Sequence, residues 1–412
     1  MSAEFESTTP WLTIVGIGED GRAGLSPAAA AALDGASLVY GGRRHLALAA
    51  PLRAETRVWP SPIADAYPGL LTRRGTPTCI LATGDPFHYG IGAEIARLVP
   101  AGEMRVFPHA SAFSLACARL GWPLAETGCL TLHGRSLPRL IPHLQPGARL
   151  LVLSWDGTTP GEVAALLVAR GLGASRLTVL EAMGGPRERR RDAPAEGFDL
   201  GDIDPLNTLA IAVVDAPAAQ PDSKILPLSP GLDDAWFEND GQLTKADIRA
   251  VTLAALRPRG RQVLWDIGAG AGSISIEWML RHPSLRALAI EANPIRAARI
   301  ARNATRLGVP DLRVVEGPAP GVLADLPIPD AVFIGGGITR QGVLDAAVAA
   351  LRPGGRLVAN AVTLEGEAML LAAFANRGGS LKRLAVAHAD PVGPLHGWRG
   401  AMPVTQWAWV KR

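Results

Sequence analysis

The sequence predicts an α/β chain of two domains, and three observations carry that expectation. Both halves alternate short apolar or β-branched runs with helical patterns, as strands joined through helices do. The 412 residues exceed the roughly 250–300 at which a single hydrophobic core stops growing. Between the halves lies DAPAAQPDSKILPLSPGL, Asp215 to Leu232, with the proline-rich composition of a linker. Together these place one domain at 10–215, a linker at 216–230 and a second domain at 231–412.

Taken in order, Trp11–Ile17 and Thr78–Ala82 read as strands, each followed at once by a glycine-containing turn. Pro27–Ala32 and Gly161–Arg170 have helical spacing, and Leu150–Ser154, Leu177–Glu181 and Thr208–Val214 are further strand candidates. In the second half the strands are Val263–Ile267, Ala287–Glu291, Leu312–Val315, Ala331–Ile334 and Arg356–Ala359, separated by helical patterns. That order predicts a parallel sheet with right-handed crossovers. Ala385–His388 and Gln406–Lys411 are expected to add a closing antiparallel pair. The halves share no motif, so the chain reads as two unrelated folds fused together.

With 48% hydrophobic, 19% charged and 5% aromatic residues, the chain has ample aliphatic material for buried cores and no signature of disorder. A net charge of +3, from 41 basic and 38 acidic residues spread along the chain, gives no electrostatic reason to expect nucleic acid as a partner. Asp, Arg, Gly or Pro interrupts every Ala/Leu-rich stretch short of the roughly 20 apolar residues of a membrane span. Met1 to Pro10 carries Glu4 and Glu6 where a signal peptide needs a basic start and an apolar run. A cytoplasmic protein with no membrane contact is expected. Cys79, Cys117 and Cys129 have no C-x-x-C spacing, which predicts buried free thiols and no metal.

Strand VLWDI runs into Gly268-Ala269-Gly270-Ala271-Gly272, after which Ser273 to Leu280 has helical spacing. Glycines there let backbone approach a ligand at the carboxyl end of the strand. Glu291 ends the next strand, roughly 20 residues on, where a carboxylate accepts hydrogen bonds from ribose hydroxyls. A dinucleotide-binding loop would want a third fingerprint glycine at Ser273 to seat pyrophosphate on the helix. The G-x-G-x-G spacing instead suits S-adenosylmethionine, which carries a sulfonium and no phosphate.

DIGAGAGSISIE (Asp266–Glu277), AIEANP (Ala289–Pro294), DAVFIGGG (Asp330–Gly337) and LRPGGRLVANAVTLE (Leu351–Glu365) resemble the C15-methylating, decarboxylating methyltransferase domain of cobalamin biosynthesis. GLDDAWFENDGQLTKADIRA (Gly231–Ala250) is similar to that family's entry segment. The resemblance implies a class I Rossmann-like domain. It also implies that Thr244, Gly268, Ala269, Gly270, Ala271, Gly272, Glu291 and Ala319 contact the methyl donor. Pro318 stands where the family often carries Asp.

The first half holds VGIGEDG (Val15–Gly21), TGDPFHYGIG (Thr83–Gly92), PHASAFSLACARLGWP (Pro108–Pro123) and LHGR (Leu132–Arg135). Gly84-Asp85-Pro86 has turn chemistry: Gly tolerates positive φ, Asp caps backbone amides and Pro fixes the exit. In order and spacing these segments resemble the tetrapyrrole methylases, which fold as two α/β subdomains. By that resemblance Gly84, Asp85, His88, Ser111 and Ala112 bind the donor, with Trp155 and Asp156 nearby. Glu19 stands where the family commonly has Pro, and Thr83 where Gly or Ser is usual.

One domain of each type in this order resembles the fused precorrin-6Y C5,15-methyltransferases (decarboxylating). The resemblance implies one S-adenosylmethionine per domain, a small-molecule tetrapyrrole substrate and a homo-oligomer. It further implies methylation at C5 and C15 with loss of carbon dioxide from the C12 acetate, giving precorrin-8X. A sulfonium methyl is already activated, so alignment and exclusion of water are the main requirements, and the residues name no catalytic acid or base. A polycarboxylate needs cations, for which Lys245, Arg249 and Arg340 are candidates. The run Arg187, Arg189, Arg190, Arg191 reads as a solvated loop before a carboxylate clamp, and His396 and Trp398 as structural residues of a terminal strand. Three rival readings remain. A base methyltransferase would need a [DN]-P-P-[FY] or Pro-Cys loop, and Gly335-Gly336-Gly337 takes the first place. A donor sensor with lost catalysis and an NAD-dependent oxidoreductase are the others.

Overall fold

Parallel strands buried on both faces need near-continuous apolar runs, and the first half supplies them. The computed structural model describes residues 10–214 and 224–412; Met1 to Thr9 and the first half of the proline-rich stretch, 215–223, lie outside the described residues. The chain divides into two units, Met1–Leu137 with Gln145–Lys224, and Pro138–Leu144 with Ile225–Arg412.

In the first unit, β1 (Leu12–Ile17), β2 (Leu38–Gly41), β3 (Glu55–Val58), β4 (Thr78–Thr83) and β5 (Met104–Phe107) form a parallel sheet in the order β3-β2-β4-β1-β5. Alternate residues of β1 feed two cores: Leu12 and Ile14 pack with Leu38 and Ile80 on one face, Val15 and Ile17 with Leu33 and Leu81 on the other. β6 (Gly128–Thr131), β7 (Arg149–Leu153), β8 (Arg176–Glu181), β9 (Arg189–Pro194) and β10 (Asn207–Ala212) form a second sheet, β6-β7-β10-β8-β9, parallel only between β6 and β7. The helix Pro27–Asp34 encloses one predicted helical segment, and Thr159–Ala169 covers the other up to its C-cap Arg170.

The second unit is a seven-stranded sheet. β11 (Val263–Ile267), β12 (Arg286–Glu291), β13 (Arg313–Glu316), β14 (Ala331–Ile334), β15 (Arg356–Ala361), β16 (Ser380–Leu384) and β19 (Val404–Val410) lie in the order β13-β12-β11-β14-β15-β19-β16. The first five neighbours are parallel, and β19 runs antiparallel between β15 and β16. Trp265, Ile290, Val332, Leu357 and Trp407 share one core across this sheet. From β13 the chain crosses back to β14 on the far side of β11. That reversal opens a crevice at the carboxyl ends of β11 and β14, where ligands bind in open α/β sheets.

The closing antiparallel pair differs from the expectation. β19 pairs with β16 on its outer side, not with Ala385–His388, and the intervening β17 (Ala387–Val392) and β18 (Leu395–Gly400) form a separate hairpin. The sequence SLKRL of β16 hides its strand character because an edge strand carries charges that deter further pairing. β9, reading RRRDAP, is an edge strand for the same reason. Arg189, Arg190 and Arg191 of the arginine run therefore lie on a strand, while Arg187 sits in the turn before it.

Candidate active sites

A cavity of about 1020 Å3 opens at the carboxyl ends of β11, β12, β14 and β15. Its floor is the front of the glycine loop, Gly268 to Gly270, and Gly268, Gly270 and Gly272 all have positive φ. At Gly270, φ is +59°, and a Cβ there would come within 2.8 Å of the Gln242 carbonyl oxygen. Only glycine lets the entry segment lie so close to the loop. Glu291 is buried, accepting from the Gly270 N–H at 2.9 Å through one oxygen and from the Asn293 N–H at 2.9 Å through the other. Each oxygen keeps a second lone pair for a hydroxyl. Ala269, Thr244, Lys245, Ala319 and Arg340 also line the cavity. Lys245 sits 3.3 Å from Asp234, while the exposed Arg340 side chain has no ion pair among the described residues.

Ala271 and Gly272 stand behind this floor. Ala271 is buried in the core and its carbonyl accepts from Asn303 at 3.0 Å, while Gly272 begins the buried helix Ser273–Leu280. Asp266, on β11 just before the loop, is fully buried. Its Oδ2 accepts from the Ser275 N–H at 3.0 Å and the Ser275 hydroxyl at 2.8 Å, but Oδ1 has no hydrogen-bond partner among the described residues. Burial is the main cause that pushes its carboxyl up to about 6, with the Glu291 charge adding to it.

Arg249 does not face the cavity, which corrects its assignment as a substrate cation. Its side chain is fully buried, with Nε donating to Glu277 at 2.5 Å and Nη1 lying 3.2 Å from Asp234. It also donates to the carbonyls of Thr244 and Leu232, and its guanidinium lies over the Phe237 ring at 4.7 Å. Glu277 in turn accepts from the N–H groups of Gly231 and Leu232 at 2.7 and 3.0 Å. The buried pair fastens the entry segment, and so Thr244, to the helix behind the glycine loop.

In the first unit, loops at the ends of β1, β4 and β5 converge. A Cβ on Gly16 would stand 1.9 Å from the Gly84 carbonyl oxygen, so the loop after β4 lies directly on β1. Gly84, with φ +55°, donates to the Ile17 carbonyl at 3.1 Å and accepts from the His109 N–H at 3.2 Å. The Asp85 carboxylate accepts from the Phe87 N–H at 2.8 Å, closing the turn. His88 packs on Phe113 at 4.5 Å, and Ser111 caps the helix Ala112–Leu120 by accepting from the Ser114 N–H at 3.1 Å. Trp155 stacks on His133 at 5.4 Å and is exposed. Hydrogen bonds from Thr158 hold the Asp156 carboxyl below its usual range.

A polar cluster lies beside this turn. Arg44 pairs with Glu19 and donates to the Thr83 hydroxyl at 2.8 Å, while Arg187 lies 3.6 Å from Glu19. His45 Nδ1 accepts from the Gly42 N–H at 3.3 Å, which leaves Nε2 to donate to the Thr83 hydroxyl at 2.7 Å. Burial first, and the Arg44 charge second, push the His45 imidazole down to about 4.

Comparison with known proteins matches residues 11–199 to the tetrapyrrole (corrin/porphyrin) methylases and residues 235–411 to the precorrin methyltransferase domain. Over 404 residues the chain is 54% identical to the precorrin-6Y C(5,15)-methyltransferase (decarboxylating) of Sinorhizobium sp, covering 98% of this chain and 97% of that protein. The chain belongs to the precorrin-6Y C(5,15)-methyltransferase family. Two shorter relatives come from Salmonella typhimurium. Its cobalt-precorrin-7 C(5)-methyltransferase is 33% identical over 43% of this chain and 88% of that protein. Its cobalt-precorrin-6B C(15)-methyltransferase (decarboxylating) is 34% identical over 39% and 85%. The fold is thus a tetrapyrrole methylase followed by a Rossmann-like methyltransferase, within a family of S-adenosylmethionine-dependent methylases.

Within this family frame, the two departures of the first half, Glu19 and Thr83, are joined by the single side chain of Arg44. Pro318 lines the second unit's cavity beside Ala319. Arg189 and Arg191 of β9 grip the buried Glu181 at 2.8 and 3.1 Å, Arg187 pairs with Asp204, and Arg190 lies 3.4 Å from Asp192. His396 and Trp398 sit on β18, with Trp398 80% exposed, so neither supports a core. Cys79 and Cys117 are buried and Cys129 is half-buried; burial pushes the Cys79 thiol up to about 12. Sequence reasoning missed Asp266, Arg44, His45 and Asn360. Asp266 opens the glycine-loop run, so its position was a usable signal; the others needed the topology.

Proposed function

We propose that the chain methylates precorrin-6Y at C5 and C15 and removes carbon dioxide from the C12 acetate, giving precorrin-8X, with one S-adenosylmethionine site in each unit. The observation that carries this reading is the glycine-floored cavity behind Glu291, in a chain matching a fused family along nearly its whole length. Two single-activity relatives, each matching under half of this chain, support a C5 activity and a C15 activity in separate units.

The second unit's residues fit the methyl donor. A cradle that a Cβ at Gly270 would fill, and a carboxylate with spare lone pairs at Glu291, suit a nucleoside, and the unpartnered Oδ1 of Asp266 adds negative character behind the loop. In the first unit Gly84, Asp85, His88, Ser111 and Ala112 are the proposed donor residues. When bound, the sulfonium supplies an activated methyl group. The chain's task is then to hold an electron-rich meso carbon in line and keep water out. Arg340, at the cavity wall with no ion pair among the described residues, and Lys245 are the proposed cations for substrate carboxylates. The two domains extend over 10–215 and 231–412, and the chain assembles as a homo-oligomer. No helix among the described residues is long and apolar enough to cross a membrane.

Mass spectrometry of the product from precorrin-6Y and S-adenosylmethionine tests the reading. Two added methyl groups and one lost carbon dioxide are expected. An unchanged mass, with donor binding verified by calorimetry, would overturn it in favour of another acceptor or a donor sensor.

A further inference from the structure

Strand order divides the second unit's cavity. Glu291, Pro318 and Ala319 line it from β12 and β13, on one side of β11. Arg340, Asn360, Val362, Val386 and His388 line it from beyond β14 and β15, on the other. Nucleoside recognition by Glu291 assigns the first side to the donor, which leaves the second for the acceptor.

Asn360, near the carboxyl end of β15, is the polar group on that second side whose orientation the fold dictates. The Thr252 hydroxyl gives its hydrogen to the Ile248 carbonyl at 2.7 Å, so towards other groups it can only accept. Asn360 Nδ2 donates to it at 2.9 Å and Gln406 Nε2 at 3.2 Å. Gln406 Nε2 also donates to Asn360 Oδ1 at 3.1 Å. Thr252 and Gln406 are both buried, so no water competes for these bonds. The amide of Asn360 is fixed edge-on, with its second Nδ2 hydrogen unused among the described residues.

We propose that Asn360 is a substrate-positioning donor whose free amide N–H binds a carboxylate side chain of the tetrapyrrole during the C15 methylation and decarboxylation half-reaction. The inference rests on the function proposed above. A neutral donor suits a carboxylate that must leave. As carbon dioxide departs, the electron pair of its C–C bond passes into the conjugated macrocycle and the carboxylate loses its charge. A cation at that oxygen would favour the ground state over the transition state, whereas an amide orients the group at smaller cost.

The test uses the full chain with precorrin-6Y, measuring each half-reaction by mass spectrometry and donor affinity by calorimetry. Asn360→Asp should leave donor affinity and C5 methylation within about twofold while raising KM for the C15 half-reaction at least about tenfold. Because a protonated Asp regains an O–H donor, part of that loss should be recovered as pH falls. Asn360→Leu should show the same loss with no recovery. Thr252→Val, which frees the amide without removing it, should give a smaller rise in KM. Unchanged kinetics in Asn360→Asp, equal losses in the two variants at every pH, or a parallel fall in donor affinity would each overturn the inference. A parent chain inactive on precorrin-6Y would instead overturn the functional reading, and this inference with it.

Discussion

The two units build the carboxyl ends of their parallel strands, where the proposed function puts a ligand, from opposite materials. The second unit uses backbone: positive-φ glycines form the floor, and a fully buried ion pair, Arg249–Glu277, stands behind the loop. The first unit uses side chains, with Arg44, Glu19, His45 and Thr83 packed beside the Gly84 turn. A backbone floor tolerates no added atom, whereas a side-chain cluster responds to charge and pH. The comparison therefore predicts steric fragility in one half and electrostatic sensitivity in the other.

The largest effect should come from filling the floor. Gly270→Leu drives a side chain into the Gln242 carbonyl, and displacing a positioned ligand by an ångström costs on the order of 100-fold. C15 methylation and decarboxylation should fall at least that far while C5 methylation continues. Asp85→Ala, which opens the turn held by the Phe87 N–H, should give the reverse product, singly methylated and decarboxylated. Product masses from the two variants decide it; either change abolishing both methylations equally would break the division between units.

Next in size is the ion pair. Arg249→Met strands the Glu277 carboxylate in a site with no solvent access, which typically costs about 3–5 kcal/mol. Arg119→Met removes a pair with Glu188 in the first unit whose side chains are 38% and 30% exposed, where about 0–1 kcal/mol is usual. Denaturant unfolding of the two variants should separate them clearly. Near-equal losses would show that Arg249 is not the fastening of the entry segment.

That contrast also explains what the sequence could and could not reveal. Val263–Ile267 and Ala331–Ile334 appear where their apolar runs place them, because a central parallel strand advertises itself on both faces. β16 carries its charges outward and β9 pairs two of its arginines with the buried Glu181, so both edge strands read as charged segments that resemble loops. The glycine loop and Glu291 are consecutive-strand features, legible from spacing alone. Arg249 reads as a free cation because its partner Glu277 lies a helix away, and Asn360 has no local signal at all, since Thr252 and Gln406 reach it from distant segments.

A third effect concerns pH and the second unit. The folded-state carboxyl of Asp266 is raised from 3.8 to about 6, so between those pH values the folded chain holds a proton that the unfolded chain has released. Its contribution to stability is fully present below pH 3.8 and is lost as pH rises through about 6. Asp266→Asn should remove that loss, worth roughly 3 kcal/mol. The difference in unfolding free energy between variant and parent should therefore grow in the variant's favour from pH 4 to 6. A difference that stays flat over that window would show that Asp266 ionises normally in the fold.

The smallest effect carries the opposite sign and belongs to the first unit. His45 is held neutral, its imidazole lowered from 6.5 to about 4 by burial and by Arg44. A depressed base makes the unfolded chain bind the extra proton, so this contribution is present above pH 6.5 and is lost as pH falls towards 4. His45 lies only part-buried at the cluster, and solvent screening reduces the effect below that of Asp266. His143 is also lowered by burial and shifts the whole chain in the same direction, so the parent's pH profile alone does not isolate His45. His45→Gln does, because Gln keeps a donor for the Thr83 hydroxyl but cannot titrate. The parent should lose stability relative to His45→Gln as pH falls from 6.5 to 4, the window in which Asp266 acts in the reverse sense. If the two profiles run parallel, the first unit's cluster is not held by a neutral imidazole, and the electrostatic half of the comparison fails at that residue.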